Sequence, residues 1–295
     1  MRPLLCAWWR FMQRGLEPIL DLGTIKEPLL IFGGPYSNLQ ATQAILKLAD
    51  DRGFKPQQII CTGDVVAYCA NPLECVELIQ DAGIHVVMGN CEESLGFQLE
   101  NCGCGFEEDS ACDLASRQWF NYARSRLNSQ ALSWMQGLPR QIITTINNHR
   151  VGFIHGSVQS ISGWVFASTP ESEKTRHLDA LGCDAVIGGH CGLPFASKLS
   201  DGRLWANAGV IGMPANDGTS RGWFATLEPK NSQISLKTEA FHYNFSQSSH
   251  AMTTAGLNEG YAKALKTGLW PNMDVLPEAE RAICGKEIYS ENILW

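Results

Sequence analysis

What this chain has little of narrows its function first. Its 295 residues include no long cluster of lysine and arginine, and the formal charge is −7. That balance argues against binding a nucleic-acid backbone by electrostatics, which needs cations set against phosphates. No uncharged apolar run reaches the length that crosses a bilayer. The opening Met1-Arg2-Pro3-Leu4-Leu5-Cys6-Ala7-Trp8-Trp9-Arg10 has one leading cation, but Arg10 cuts its apolar run too short for an export-signal core. The expectation is a cytoplasmic protein without membrane contact, whose eleven cysteines, an odd number, are mostly reduced thiols. Charge is sparse as well: 18% charged against 44% hydrophobic residues describes a soluble globular chain, not a disordered one. Length leaves open one large core or two small ones. Small phosphorylated ligands stay open too, since a metal or a helix N-terminus holds phosphate without a basic surface.

What is present is a set of short apolar runs that end in glycine beside a polar donor. Ile59-Ile60-Cys61-Thr62 stops at Gly63-Asp64, Val86-Val87-Met88 at Gly89-Asn90, Val151-Gly152-Phe153-Ile154 at His155-Gly156, and Ala185-Val186-Ile187 at Gly188-Gly189-His190. Runs of this length read as buried parallel strands, and open α/β sheets bind ligands just past such strand ends. A single Gly-Asp is usually a turn or a helix cap. Four strand ends offering Asp, Asn, His and His form a donor set suited to a divalent transition metal. Glycine beside each donor lets backbone and ligand approach closely.

Between these runs the pattern predicts helices from about residue 38 to Ala49, from Pro72 through Leu78, across 112–137 in two pieces, and near 171–181. Asn147-Asn148 between two apolar runs predicts an antiparallel hairpin that delivers His155. Strands near 194–199, 202–206, 221–228 and 233–240 are expected to supply a second sheet. Residues 1–27 precede the first expected strand, Leu29-Leu30-Ile31-Phe32, and predict a short helix on the body; two arginines interrupt them too closely for a membrane-surface helix. The tail from Phe241 predicts a helix and an extended strap, with a homodimer contact as the other reading. Cys91, Cys102, Cys104 and Cys112 match no familiar zinc spacing, so free packed thiols stand beside a second metal or a redox pair.

Gly63-Asp64, Gly89-Asn90, His155-Gly156 and Gly189-His190, in that order, resemble the calcineurin-like metallophosphoesterases, and within them the smaller bacterial phosphodiesterases. Asn207-Ala208-Gly209-Val210-Ile211-Gly212 resembles their Asn-x-Gly-Ser-x-Gly loop. The likeness covers about residues 28–240. It implies a four-layer α-β-β-α sandwich of two mixed sheets, with a helical and cysteine-rich insertion at about 91–139 and extensions at 1–27 and 241–295. It also implies two metals that share the Gly-Asp carboxylate. Asp64, Asn90, His155 and His190 match one site completely. In the other, the family's Asp falls on Gly34, one His on Tyr36 and another on Gly192, so only Asp64 remains.

The resemblance therefore implies one divalent ion per chain, of manganese, iron, zinc or nickel, acting on a small phosphorylated substrate. Such an ion lowers the pKa of a bound water from 15.7 towards ~7 to 9. Tyr36 is a candidate to orient that water or to bind the ion as phenolate. Cys91 stands where the family has a histidine that protonates the leaving group, and Cys91 or Cys191 is a candidate to replace a lost donor. Asn38, Tyr68 and Glu92 complete the motif surroundings. Two other readings remain: a non-catalytic sensor of a nucleotide or phosphorylated metabolite, and a metal or redox protein built on the cysteines.

Overall fold

Leu29-Leu30-Ile31-Phe32 is apolar at every position because the strand it forms is buried on both faces. The structure is a computed structural model that describes residues 19–104 and 111–295, apart from the side chains of 111–114. In strand β2 (Leu29–Phe32), Leu29 and Ile31 enter a core shared with Ile142, Phe153 and Leu204. Leu30 and Phe32 face the opposite way, against Ile45, Val76 and Met135. Period-two alternation thus divides one apolar run between two cores.

One sheet runs β1 (Ile19–Thr24), β5 (Gln141–Ile146), β6 (His149–Ile154), β7 (Ala185–Gly188), β9 (Leu204–Ala208) and β8 (Pro194–Lys198). The other runs β12 (Asn292–Leu294), β11 (Gln233–Phe241), β10 (Gly222–Lys230), β2, β3 (Ile59–Cys61) and β4 (His85–Val86). Both are mixed: β2, β3 and β4 are parallel to one another, as are β6, β7 and β9, while β10 pairs antiparallel with β2 and β8 with β9. On the outside of one sheet lie α1 (Leu39–Asp51), α2 (Pro72–Ala82) and α5 (Ser129–Gln136). The other is covered by α6 (Glu171–Leu181), whose Leu178 packs with Val186 and Trp205. The result is a four-layer α-β-β-α sandwich.

Two expectations change. The strands after residue 193 do not form a sheet of their own; β8 and β9 extend the sheet of β7, whereas β10 and β11 extend that of β2. The chain crosses between sheets at Val210, which bridges to Gly33, and the Ile211 amide donates to the Gly33 carbonyl at 3.0 Å. Backbone pairing decides that choice, and apolar runs of equal quality carry no mark of it. Second, β1 precedes the first expected strand and pairs in parallel with β5. The helix expected earlier in the N-terminal stretch lies outside the described residues.

The hairpin forms as expected, with Asn147 at φ +47° and Asn148 at φ +66° in the left-handed region that asparagine tolerates. The tail packs on the body. Helices α7 (Phe245–Thr254) and α8 (Glu259–Thr267) bury Met252 and Leu265 in the helix-side core, and β12 closes the edge of β11. No helix among the described residues is long and apolar enough to cross a membrane.

Candidate metal centre

The C-terminal ends of β3, β4, β6 and β7 meet at one place. After β3 the chain turns through Gly63 at φ +96° and Asp64 at φ +57°. A side chain at Gly63 would put its Cβ 2.7 Å from the Gly89 amide nitrogen, so the two strand-end loops touch backbone to backbone. A non-glycine residue in the left-handed region costs energy and persists only where its surroundings hold it. Glu92, fully buried on helix α3 (Asn90–Gly96), supplies that hold. Its carboxylate accepts the amides of Asp64 at 2.7 Å, Val65 at 2.8 Å and Gly89 at 2.9 Å. Burial and the nearby Asp64 push the Glu92 carboxyl up to about 7, while its backbone donors pull the other way. Glu92 is a positioning residue for both loops.

Asp64, Asn90, His155 and His190 converge within this frame. His155 Nε2 lies 3.0 Å from Asn90 Oδ1, 3.1 Å from His190 Nδ1 and 3.3 Å from Asp64 Oδ2. The donor atoms of Asp64, His155 and His190 all fall within 4.8 Å of one another. Bonds of about 2.1 Å around one ion give polyhedron edges of roughly 3.0 Å (octahedral) to 3.4 Å (tetrahedral), which these separations match.

The outer partners fix which atoms face inward. His155 Nδ1 lies 2.7 Å from the Thr62 carbonyl, an acceptor, so that nitrogen carries a proton and Nε2 is the atom that faces the centre. The Asn90 amide nitrogen donates to the Cys102 carbonyl at 2.9 Å, which turns Oδ1 inward. A protonated Nε2 donates to Asn90 Oδ1 at 3.0 Å, and a cation that displaces that proton would be held by both atoms. This arrangement fits a metal ion.

The titrating groups divide: Asp64 and His155 favour an ion pair, whereas His190 stays neutral. Burial alone would raise the Asp64 carboxyl, but His155 and His190 hold it below the usual carboxylate range. Burial pulls the His155 imidazole down, and Asp64 more than reverses it. Burial and the neighbouring His155 lower His190 to about 3, so it is a neutral ligand. Its Nε2 is buried without a well-aligned hydrogen-bond partner, the Ser162 carbonyl exerting only a weak pull. Asn207 fixes the His190 loop by donating to the Gly189 carbonyl at 2.6 Å.

The other sequence candidates fall around this centre. The Cys91 amide donates to Asp64 Oδ1 at 3.2 Å, and burial and Asp64 keep its thiol protonated. Tyr36 lies at φ +52°, its phenol raised well above 10 by burial and Asp64. Cys191 is likewise raised, to about 12 by burial, and its sulfur accepts from Asn207 at 3.1 Å. Asn38 faces away from the centre: its side chain caps α1 at Ala41, donates to the Gly212 carbonyl at 2.9 Å and accepts from Ser248. Tyr68 packs between Tyr36 and Tyr261, with centroids at 4.9 and 4.7 Å.

Cys102 and Cys104, two of the four cysteines for which a redox pair stood as an alternative, are joined by a disulfide. Cys61, Cys69, Cys75, Cys91, Cys183, Cys191 and Cys284 are free. No cysteine enters the metal-ligating cluster among the described residues, and the Cys112 side chain lies outside them. Sequence reasoning missed the carbonyls of Thr62 and Cys102, which carry no signal because every residue has one. It also missed Trp164, whose ring lies 4.1 Å from that of His190.

A two-sheet sandwich whose strand ends gather Asp, Asn and two His defines a metallophosphoesterase fold. Residues 36–232 match the calcineurin-like phosphoesterase superfamily domain, and the chain belongs to that family of metal-dependent phosphoesterases. An uncharacterized protein of Methanocaldococcus jannaschii is 25% identical over 232 residues, 72% of this chain and 87% of the relative. Among solved structures, a metallophosphoesterase from Sphaerobacter thermophilus superposes with a TM-score of 0.63 at 22% identity, over 83% of this chain and all of its own. A hypothetical protein from Pyrococcus horikoshii gives 0.69 at 16%, over 82% and 99%. At these identities the two structures speak to the fold alone.

Proposed function

We propose that the protein is a phosphoesterase with a single divalent ion held by Asp64, Asn90, His155 and His190. The observation that carries this reading is the convergence on His155 Nε2 of Asn90 Oδ1 at 3.0 Å, His190 Nδ1 at 3.1 Å and Asp64 Oδ2 at 3.3 Å. A manganese, iron, zinc or nickel ion there supplies Lewis acidity to a phosphoryl oxygen and lowers the pKa of water beside it. In the hydrolysis, the water oxygen bonds to phosphorus, the ester P–O bond breaks, and one water proton ends on the departing alcohol. The test is elemental analysis and turnover of bis(4-nitrophenyl) phosphate on one preparation. One ion per chain is expected, with a chelator removing ion and turnover together. Under half an ion per chain, unchanged in His190→Ala, removes the reading.

Cys91, kept as a neutral thiol, has the protonation state that a donor to the leaving group needs. Cys91→Ala is expected to slow alkyl esters by about 10²-fold and 4-nitrophenyl esters by under about twofold, because nitrophenolate leaves without a proton. Equal losses on both would assign Cys91 to packing.

Binding without turnover is the second reading, supported by the closed first berth: a Cβ at Gly34 would lie 2.5 Å from the Tyr36 ring. Robust metal-dependent turnover, abolished in Asp64→Asn, counts against it.

A further inference from the structure

Aromatic rings stand beside the positions that a second metal's ligands would occupy, and at one of them they fill the space. The Tyr36 ring folds over Gly34, leaving no room there for a carboxylate side chain. At Gly192 a Cβ would rest in ordinary contact with the Trp270 indole at 3.5 Å, so the ring of a tail residue borders that position. Between these rings a cleft of about 80 Å³ is walled by Tyr36, Tyr68, Trp164, Tyr261 and Trp270 and reaches His190. Among the described residues, no Asp, Glu, Lys or Arg lines it.

The walls are set in advance. The Trp270 indole donates to the Pro214 carbonyl at 2.7 Å, and its amide donates to Asn216 Oδ1 at 2.8 Å. Tyr68 is wedged by Trp119 on one side and Tyr261 on another, with centroids at 5.2 and 4.7 Å. Rings already fixed lose little entropy when a guest stacks on them. Tyr261 and Trp270 lie outside the matched domain at 36–232, so the tail completes the cleft.

We propose that this cleft binds the planar aromatic group of the substrate, a nucleobase or a simple aryl ring, as a stacked guest beside the metal centre. Aromatic walls suit a π-face, and the absence of lining charges excludes a second phosphate from the cleft. The placing of the ester phosphate at Asp64 and His155 rests on the phosphoesterase reading. Ring binding itself does not depend on turnover.

The test is calorimetric titration of the full-length protein with three phosphate-free probes: adenosine, 4-nitrophenol and cyclohexanol. Saturable binding of adenosine or 4-nitrophenol, at least about tenfold tighter than cyclohexanol, is expected; the tighter of the two identifies the source of the ring. Trp270→Ala is expected to weaken that binding about tenfold, and Trp270→Phe to retain most of it. Neither aromatic probe saturating below about 10 mM, cyclohexanol binding equally well, or unchanged binding in folded Trp270→Ala would each overturn the proposal. The wild-type titrations decide even if Trp270→Ala fails to fold. Ring binding with no metal or turnover would sink the phosphoesterase reading alone; metal-dependent turnover without ring binding would sink this one.

Discussion

Asp64→Asn is expected to strip the protein of metal and turnover together. The substitution is close to isosteric, and asparagine accepts the left-handed backbone that Asp64 adopts at φ +57°. The amides that Glu92 accepts keep their partner, so the loop stays in place. What goes is the one formal negative charge among the four donors, and with it the group that holds positive charge against His155. Metal content should fall from one ion per chain to under about a tenth, more than the 10–100-fold affinity loss typical of outer partners. Losing several kcal/mol of Lewis-acid stabilisation corresponds to at least a ~10³-fold fall in turnover. His177→Gln is the control: His177 is buried on α6 near Trp205, with a ring centroid distance of 5.5 Å, outside the cluster of Asp64, His155 and His190. It should change stability and leave metal content at one ion. Mass spectrometry under native conditions reads the result, and full metal occupancy in Asp64→Asn would refute the assigned ligand set.

Glu92→Ala is expected to produce the largest loss of stability of any single change near the centre. Its carboxylate is fully buried and receives the amides of Asp64, Val65 and Gly89. Removing it leaves three buried donors unpaired where water has no access, at about 1–3 kcal/mol each. Allowing for partial relaxation, the folded state should lose about 3–5 kcal/mol, or roughly 5–8 °C in Tm for a chain of this size. Glu92→Gln should lose about half as much, since its amide offers one acceptor oxygen in place of two. Metal affinity should fall in both variants, because the strained turn at Asp64 relaxes. A Tm within about 1 °C of wild type in Glu92→Ala would show that the turn needs no support from this side chain.

How far the sequence reached depends on how local each feature is. Gly63-Asp64, Gly89-Asn90, His155-Gly156 and Gly189-His190 stand out because a buried strand is a short apolar run and glycine marks its end. The Asn147-Asn148 turn was legible because few residues accept positive φ. Sheet membership was not. Strands β8 to β11 look alike in sequence, and the ladder each one joins is set by backbone hydrogen bonds common to all residues.

The chain by itself determined that four donors stand at strand ends and that Gly34, Tyr36 and Gly192 replace ligands in the family pattern. Only the tertiary structure decided which atoms of those donors face inward, because the Thr62 and Cys102 carbonyls that turn His155 and Asn90 carry no side-chain signature. It also decided what borders the vacated space. Trp270 reaches Gly192 across a separation that local sequence pattern does not span, and packing forces, which act through distance in space rather than along the chain, bring the two together.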